Sequence, residues 1–149
     1  MLSLATEADT PEVLFLIKEF FKQSPYGNLS FSDETVLASL SRILQDRRFG
    51  IVILWKEDEK IVGLLIAVAN PTLMVSGWTA SELCFYILPE YRKGVAASEL
   101  YKAYEYWAEQ VGCSFITMVS LANEEQRKLD IWYRRKGFKP VEQTYMKEF

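Results

Sequence analysis

The stretch PEYRKGVAASEL, residues 89–100, lies where a predicted strand turns into a predicted helix. The apolar run ELCFYIL at 82–88 is typical of a strand, and Pro89 ends it. The apolar spacing at 96–112 indicates an amphipathic helix that ends at Gly112. Because a helix start presents free backbone N–H groups, this strand, turn and helix can form a seat for a phosphate.

The side chains of the turn suit an anion, although they do not specify one. Arg92 and Lys93 bring positive charge, and Gly94 allows a ligand to approach the backbone closely. Ala96 and Ala97 keep the first helical turn free of bulk. An ordinary strand-to-helix turn has similar local features. The chain contains neither GxxxxGK[ST] nor GxGxxG, so it has no P-loop and no dinucleotide fingerprint.

Helices and strands are predicted along the rest of the chain. The predicted helices cover 11–24 with Thr10 as N-cap, a second helix capped by Ser32, the helix at 96–112, and a last helix capped by Asn123. The predicted strands are a short edge strand at 2–5, a hairpin of 51–55 and 61–69, the strand at 82–88, a buried strand at 114–120, and a terminal strand or hairpin in 138–149. Residues 70–78 are predicted to form a loop. This order predicts a mixed α/β fold with helices on both faces of one sheet.

Length and composition restrict the class of protein. The 149 residues fit one domain, 1–149, and the net charge of −3 argues against a nucleic-acid partner. The absence of histidine removes the commonest general base and metal ligand, so no metal is expected. Two separated cysteines favour a reduced, cytoplasmic setting, and no apolar run is long enough for a membrane span.

Two motifs and the order of elements resemble the GNAT acetyltransferase superfamily over nearly the whole chain. The family's pyrophosphate motif, Arg/Gln-x-x-Gly-x-Gly/Ala, aligns with Arg92 through Ala97, where Val95 occupies the position of the first glycine. This alanine-rich form is similar to that of phage-type members. The family's Leu-Tyr-x-x-x-Gly-Phe, at the end of its last helix, aligns with Trp132 through Phe138. Gln126 stands where the family often has an Asn.

The resemblance implies a central, mostly antiparallel sheet and an N-acetyltransferase that uses acetyl-coenzyme A. It assigns Tyr133 as the proton donor to the departing thiolate, although a tyrosine that only packs is the alternative. Glu82 is the candidate general base, with a solvated strand-end glutamate as the alternative. The implied cofactor-binding residues are Phe85, Tyr86, Ile87, Leu88, Arg92, Lys93, Gly94, Val95, Ala96, Ala97 and Ser98.

The resemblance implies that the acceptor is a primary amine of a small molecule or a protein, and the sequence does not choose between them. The aromatic candidates for the acceptor side are Tyr26, Phe31, Trp78 and Tyr145, each with packing as the alternative. Family members often form homodimers. Two other functions stay open: a catalytically silent module that binds coenzyme A or a protein, and an unrelated α/β phosphate-binding domain.

Overall fold

A five-stranded sheet and four α-helices form the structure, a computed structural model that describes residues 1–149. The strands are β1 (Leu2–Leu4), β2 (Gly50–Glu57), β3 (Lys60–Pro71), β4 (Trp78–Ile87) and β5 (Cys113–Thr117). The helices are α1 (Thr10–Gln23), α2 (Asp33–Gln45), α3 (Ala96–Gln110) and α4 (Gln126–Arg135). None of the helices is long and apolar enough to cross a membrane.

The strands lie side by side in chain order, β1 to β5. The first four strands pair antiparallel, and β5 pairs parallel to β4. The parallel pair requires a crossover, which α3 provides. The β2–β3 hairpin turns at Asp58 and Glu59, both with positive φ (47° and 67°), as a two-residue turn matched to strand twist requires. The mixed α/β fold and the mostly antiparallel sheet predicted from the sequence are confirmed.

Two apolar layers hold the helices against opposite faces of the sheet. One layer packs α1 and α2 on one face through residues such as Leu16, Ile43 and Leu64. The other packs α3 on the opposite face through residues such as Leu65, Leu100 and Tyr104. Strands β2 and β3 contribute to both layers because alternate side chains point to opposite faces, which explains their nearly continuous apolar sequences.

Of the three N-caps predicted from the sequence, one is confirmed and two are wrong, while α3 begins at Ala96 as predicted. Ser32 is the N-cap of α2, and its hydroxyl accepts a hydrogen bond from the Thr35 N–H at 3.1 Å, as predicted. Thr10 is already helical, and Asp9 is the N-cap of α1. Asn123 is not the N-cap of α4; its side chain accepts from the Glu125 N–H at 3.0 Å in a local turn, and the helix begins later.

Near the end of the chain, the predicted terminal strand is absent, and the strand predicted at 114–120 exists but is not buried. Residues 138–149 contain no helix or strand, and every residue from 139 onward is exposed. With no strand beyond it, β5 is an edge strand, and Phe115 is exposed instead of buried. The predicted loop at 70–78 is also shorter, because β3 continues to Pro71 and β4 begins at Trp78.

Candidate active site

The turn between β4 and α3 presents a row of free backbone N–H groups. After β4, one 3-10 turn (Pro89–Tyr91) leads into residues 92–95 and then α3. The N–H groups of residues 93–98 donate to no oxygen of the protein, and the first N–H paired in α3 is that of Glu99, to the Val95 carbonyl at 3.0 Å. Six consecutive unpaired donors at the positive end of a 15-residue helix suit an anion.

The surroundings leave this row of donors accessible. A Cβ built on Gly94 would meet only the Tyr91 carbonyl, at 3.9 Å. Val95 is 61% exposed and makes no side-chain capping bond to the helix. Lys93 is also exposed. The donors and charges of this turn therefore suit a ligand that carries phosphate groups.

Arg92 does not extend freely into solvent as the sequence suggests. Its Nε donates to the Ile87 carbonyl at 2.7 Å, and its Nη2 donates to Oε1 of Gln23 at 3.4 Å. The guanidinium also lies over the ring of Tyr86, 5.4 Å from the ring centre. Arg92 therefore fastens the turn to the end of β4 and to α1.

The later half of β4 has an edge that no strand covers. Pairing with β5 ends at Ser81 and Thr117, whereas pairing with β3 continues to Ile87. The Leu88 N–H bonds to the Val62 carbonyl on the β3 side, so alternation directs the backbone groups of Phe85 and Ile87 to the uncovered edge. Of the four residues expected to pair with the pantetheine arm, these two present their backbone there.

A β-bulge brings Glu82 to the point where β4 and β5 separate. Cys84 pairs with Ile66 and Glu82 pairs with Ala67, so Leu83 is an extra residue in β4. Before the bulge, alternation from Ala80 places Glu82 on the α3 face. After it, Cys84 faces the layer formed with α1 and α2. Because of the bulge, Glu82 and Cys84 lie on opposite faces of the sheet although they are two residues apart.

Glu82 is buried, with 5% of its surface exposed. Its Oε2 accepts a hydrogen bond from the Val119 N–H at 2.9 Å. Burial raises the pKa of Glu82 to about 7, and the bond from Val119 opposes this shift. At neutral pH, the carboxyl group is therefore divided between its protonated and ionised forms, as a general base or acid requires.

Tyr133 is buried and bonds to the same residue as Glu82. Its hydroxyl donates to the Val119 carbonyl at 2.7 Å, and burial raises its pKa. Nearby, the Tyr104 hydroxyl donates to the Thr117 carbonyl at 3.0 Å. Glu82, Tyr104 and Tyr133 thus form hydrogen bonds with backbone groups where β5 leaves the sheet. This is a structural role in addition to any chemical one.

Cys84 has no reactive character in this arrangement. The thiol is buried, and burial raises its pKa well above the ordinary value of 9.0. A thiol that keeps its proton is a poor nucleophile. No three His, Cys, Asp or Glu side chains come together as a metal site.

The aromatic residues expected on the acceptor side lie in different places. Phe31 packs against Phe21, with ring centres 5.1 Å apart, and lines a cavity of about 340 Å³ beside α1. Tyr26 follows the end of α1 and is exposed. Trp78 lies at the start of β4, at the opposite end from the turn, and Tyr145 is exposed in the tail.

The sequence did not indicate which residues form hydrogen bonds with the candidate site residues. Val119 takes part only through its backbone, which no side-chain pattern reveals. Gln23 ends α1 and gives no motif, yet it bonds Arg92 and Tyr86. The extra residue Leu83 lies in an uninterrupted apolar run without a glycine, so the bulge had no signal in the sequence.

Comparison with known proteins finds a matching family and similar solved structures. The family model described as the acetyltransferase (GNAT) family matches residues 14–138. No curated protein matches the sequence. A transcriptional regulator from Bacillus halodurans C-125 shares 18% identity, with 100% of this chain and 99% of that chain covered and a TM-score of 0.79.

Two further structures are named as acetyltransferases. The aminoglycoside 6'-N-acetyltransferase AAC(6')-IG from Acinetobacter haemolyticus shares 21% identity, covers 100% of this chain and 97% of its own, and gives a TM-score of 0.76. The ribosomal-protein-alanine N-acetyltransferase from Brucella melitensis biovar Abortus 2308 shares 19% identity, covers 100% and 99%, and gives a TM-score of 0.74. At these identities, the likeness shows a shared fold.

Proposed function

The chain belongs to the GNAT acetyltransferase family, and we propose that it transfers the acetyl group of acetyl-coenzyme A to a primary amine by direct attack in a ternary complex. The six free N–H groups of residues 93–98, beside the uncovered edge of β4, carry this proposal. Acetyl-coenzyme A would supply the reactive thioester. The aminoglycoside N-acetyltransferase AAC(6')-Iy, which has the same fold, has been solved in complex with coenzyme A.

The cosubstrate would be held by the backbone and by charge. The N–H groups of Lys93 through Ser98 would face its diphosphate, and Lys93 would add a mobile positive charge. The backbone of Phe85 and the N–H of Ile87 would pair with the pantetheine arm, since the Ile87 carbonyl already accepts from Arg92. Val95 would contribute its N–H, and its exposed side chain would have to point away from the phosphates. Directed pairing along β4 orients the thioester and lowers the entropy cost of the reaction.

Glu82 would act as the general base. An ammonium group must lose a proton before its nitrogen can attack, and a carboxyl group with a pKa of about 7 can accept that proton, directly or through water. The carboxylate lies where β4 and β5 separate, at the start of the uncovered edge. Its bond from the Val119 N–H fixes its orientation.

Tyr133 would donate a proton to the departing thiolate. Its raised pKa keeps the phenol protonated, so it is a donor and not a base. In the structure that proton is directed at the Val119 carbonyl. Proton transfer to sulfur therefore requires the hydroxyl to exchange this carbonyl for the thiolate.

The acceptor is a primary amine of a small molecule or of a protein. The similar structures include enzymes named for each kind of acceptor, an aminoglycoside and a ribosomal protein alanine. The segment 24–31 and the cavity lined by Lys18, Phe21 and Phe31 would border the acceptor. The aromatic side of this cavity would pack against the part of the acceptor that carries the amine.

Thiol release with a panel of amines, together with calorimetry using acetyl-coenzyme A, tests the proposal. We expect binding of acetyl-coenzyme A and amine-dependent release of free thiol. The panel should contain aminoglycosides, amino acids, polyamines and peptides with a free N-terminal alanine. If acetyl-coenzyme A does not bind at millimolar concentration, the proposal is wrong.

A second candidate is a catalytically silent module that binds coenzyme A or a protein. The hydrogen bonds of Glu82 and Tyr133 favour it, because both candidate groups already satisfy the backbone of Val119. Val95 in place of the motif's glycine is a further departure from the family. Binding of acetyl-coenzyme A without transfer to any amine, and with no effect of Tyr133→Phe on turnover, would support this candidate.

A further inference from the structure

Gln23, the last residue of α1, bonds three other parts of the chain. Its Nε2 donates to the Tyr86 hydroxyl at 2.9 Å, on β4. Its Oε1 accepts from Nη2 of Arg92 at 3.4 Å, in the turn after β4. Its backbone carbonyl accepts from Nδ2 of Asn123 at 3.4 Å, in the connection between β5 and α4. Gln23 therefore joins α1 to both segments that flank the uncovered edge.

The guanidinium of Arg92 has only neutral partners in the structure. It donates to the Ile87 carbonyl at 2.7 Å and to the Gln23 amide oxygen at 3.4 Å. Arg92 directly precedes the six free N–H groups in the chain, but its side chain is turned back onto Ile87, Tyr86 and Gln23. A hydrogen bond between a guanidinium and a phosphate is roughly twice as strong as one to a neutral oxygen. If the guanidinium turns toward a bound anion, it gives up its bond to Gln23.

We propose that Gln23 is a positioning residue that holds Arg92 away from the cosubstrate phosphates and so lowers the affinity for coenzyme A. This inference rests on the proposed function. Binding of the phosphates draws Arg92 from Gln23, and the loss of this contact subtracts from the binding free energy.

Calorimetry with coenzyme A on the full chain tests this role of Gln23. Gln23→Met keeps the length of the side chain and removes both of its hydrogen bonds, and Gln23 is exposed, so the core is unaffected. We expect Gln23→Met to bind coenzyme A roughly two- to tenfold more tightly than the wild type, the range that one hydrogen bond provides. A residue with a merely structural role would weaken binding when replaced.

The matched control is the same Gln23→Met substitution made in the Arg92→Ala variant. If Gln23 acts through Arg92, then Gln23→Met changes the dissociation constant in the wild type and leaves it unchanged in Arg92→Ala. Thermal melting of each variant checks that it is folded.

The outcomes separate this inference from the proposed function. If the wild type does not bind coenzyme A at millimolar concentration, both are overturned. If the wild type binds and Gln23→Met binds equally or more weakly, only the role of Gln23 is overturned. Tightening that persists in Arg92→Ala also overturns it, because the effect then does not pass through the guanidinium.

Discussion

The carboxyl group of Glu82 is buried, accepts one hydrogen bond from Val119, and has its pKa raised from an ordinary value of 4.5 to about 7. Its titratable neighbours are Cys84, Tyr104 and Tyr133, whose pKa values are raised by burial and by the Glu82 charge. All three are neutral near pH 7, so desolvation alone raises the pKa of this carboxyl group. A group in this position affects the stability of the fold, whatever its role in the proposed reaction.

Glu82 makes the stability of the protein depend on pH. Between pH 4.5 and about 7, the folded state holds a proton that the unfolded state has lost. The stabilisation is therefore complete below pH 4.5 and is lost as the pH rises through 7, by about 3 kcal/mol. In Glu82→Gln, which cannot ionise, we expect this part of the pH dependence to disappear. Urea unfolding at pH 5 and pH 8 measures it; an equal pH dependence in both proteins would contradict the raised pKa.

Tyr133→Phe separates chemistry from packing at the second candidate residue. Loss of the bond to the Val119 carbonyl should cost about 1 kcal/mol of unfolding free energy. If Tyr133 is the proton donor, kcat should also fall roughly 100-fold or more, with little change in the KM for acetyl-coenzyme A. Tyr106→Phe, on the exposed face of α3, is the control and should change neither quantity. A variant that loses stability but keeps its kcat would assign Tyr133 to packing alone.

At the scale of elements, the start of α3 decides whether the turn binds an anion. Val95→Asp places a carboxylate beside the six free N–H groups, whereas Val95→Asn is of the same size and neutral. We expect Val95→Asp to gain about 0.5 kcal/mol in stability from the helix dipole and to bind coenzyme A about tenfold more weakly than Val95→Asn. Thermal unfolding and calorimetry measure the two effects. Equal affinities of both variants would show that the phosphates bind elsewhere.

Elements with a local signal could be predicted from the sequence, and those fixed by distant partners could not. Apolar spacing and the Ser32 cap placed α1, α2 and α3 within a few residues. The bulge at Leu83 depends on how β3 and β4 align, and the exposure of β5 depends on the absence of a neighbouring strand. For the same reason the resemblance pointed to Glu82 and Tyr133 as candidates, while their common partner, the Val119 backbone, carried no signal.

At the scale of the whole molecule, helices cover both faces of the sheet, but no further strand pairs with the edge strand β5. Strand β5 has no partner on its outer side, and Phe115 is 43% exposed. An unpaired apolar edge is a place where another chain can add a strand. A homodimer that covers β5 therefore remains a proposal consistent with this edge.

Deletion of residues 139–149 tests how the tail relates to this edge. Every residue of this segment is exposed, and its one hydrogen bond, from the Tyr145 hydroxyl to Gln143, lies within the segment. Phe138, which packs against Tyr101 and Tyr133, is retained. Because every residue of the tail is exposed in the single chain, we expect its removal to change the unfolding free energy by less than about 0.5 kcal/mol.

The same deletion measured at several protein concentrations distinguishes a free tail from one that pairs with a second chain. If the tail covers β5 of a partner, the full chain sediments as a dimer, its melting temperature rises with concentration, and the deletion removes both effects. A replacement of Phe115 by Lys on the exposed edge should then have the same result, since a charge there opposes strand addition. Loss of stability at a concentration where the protein is monomeric would instead show that the tail folds back on its own chain.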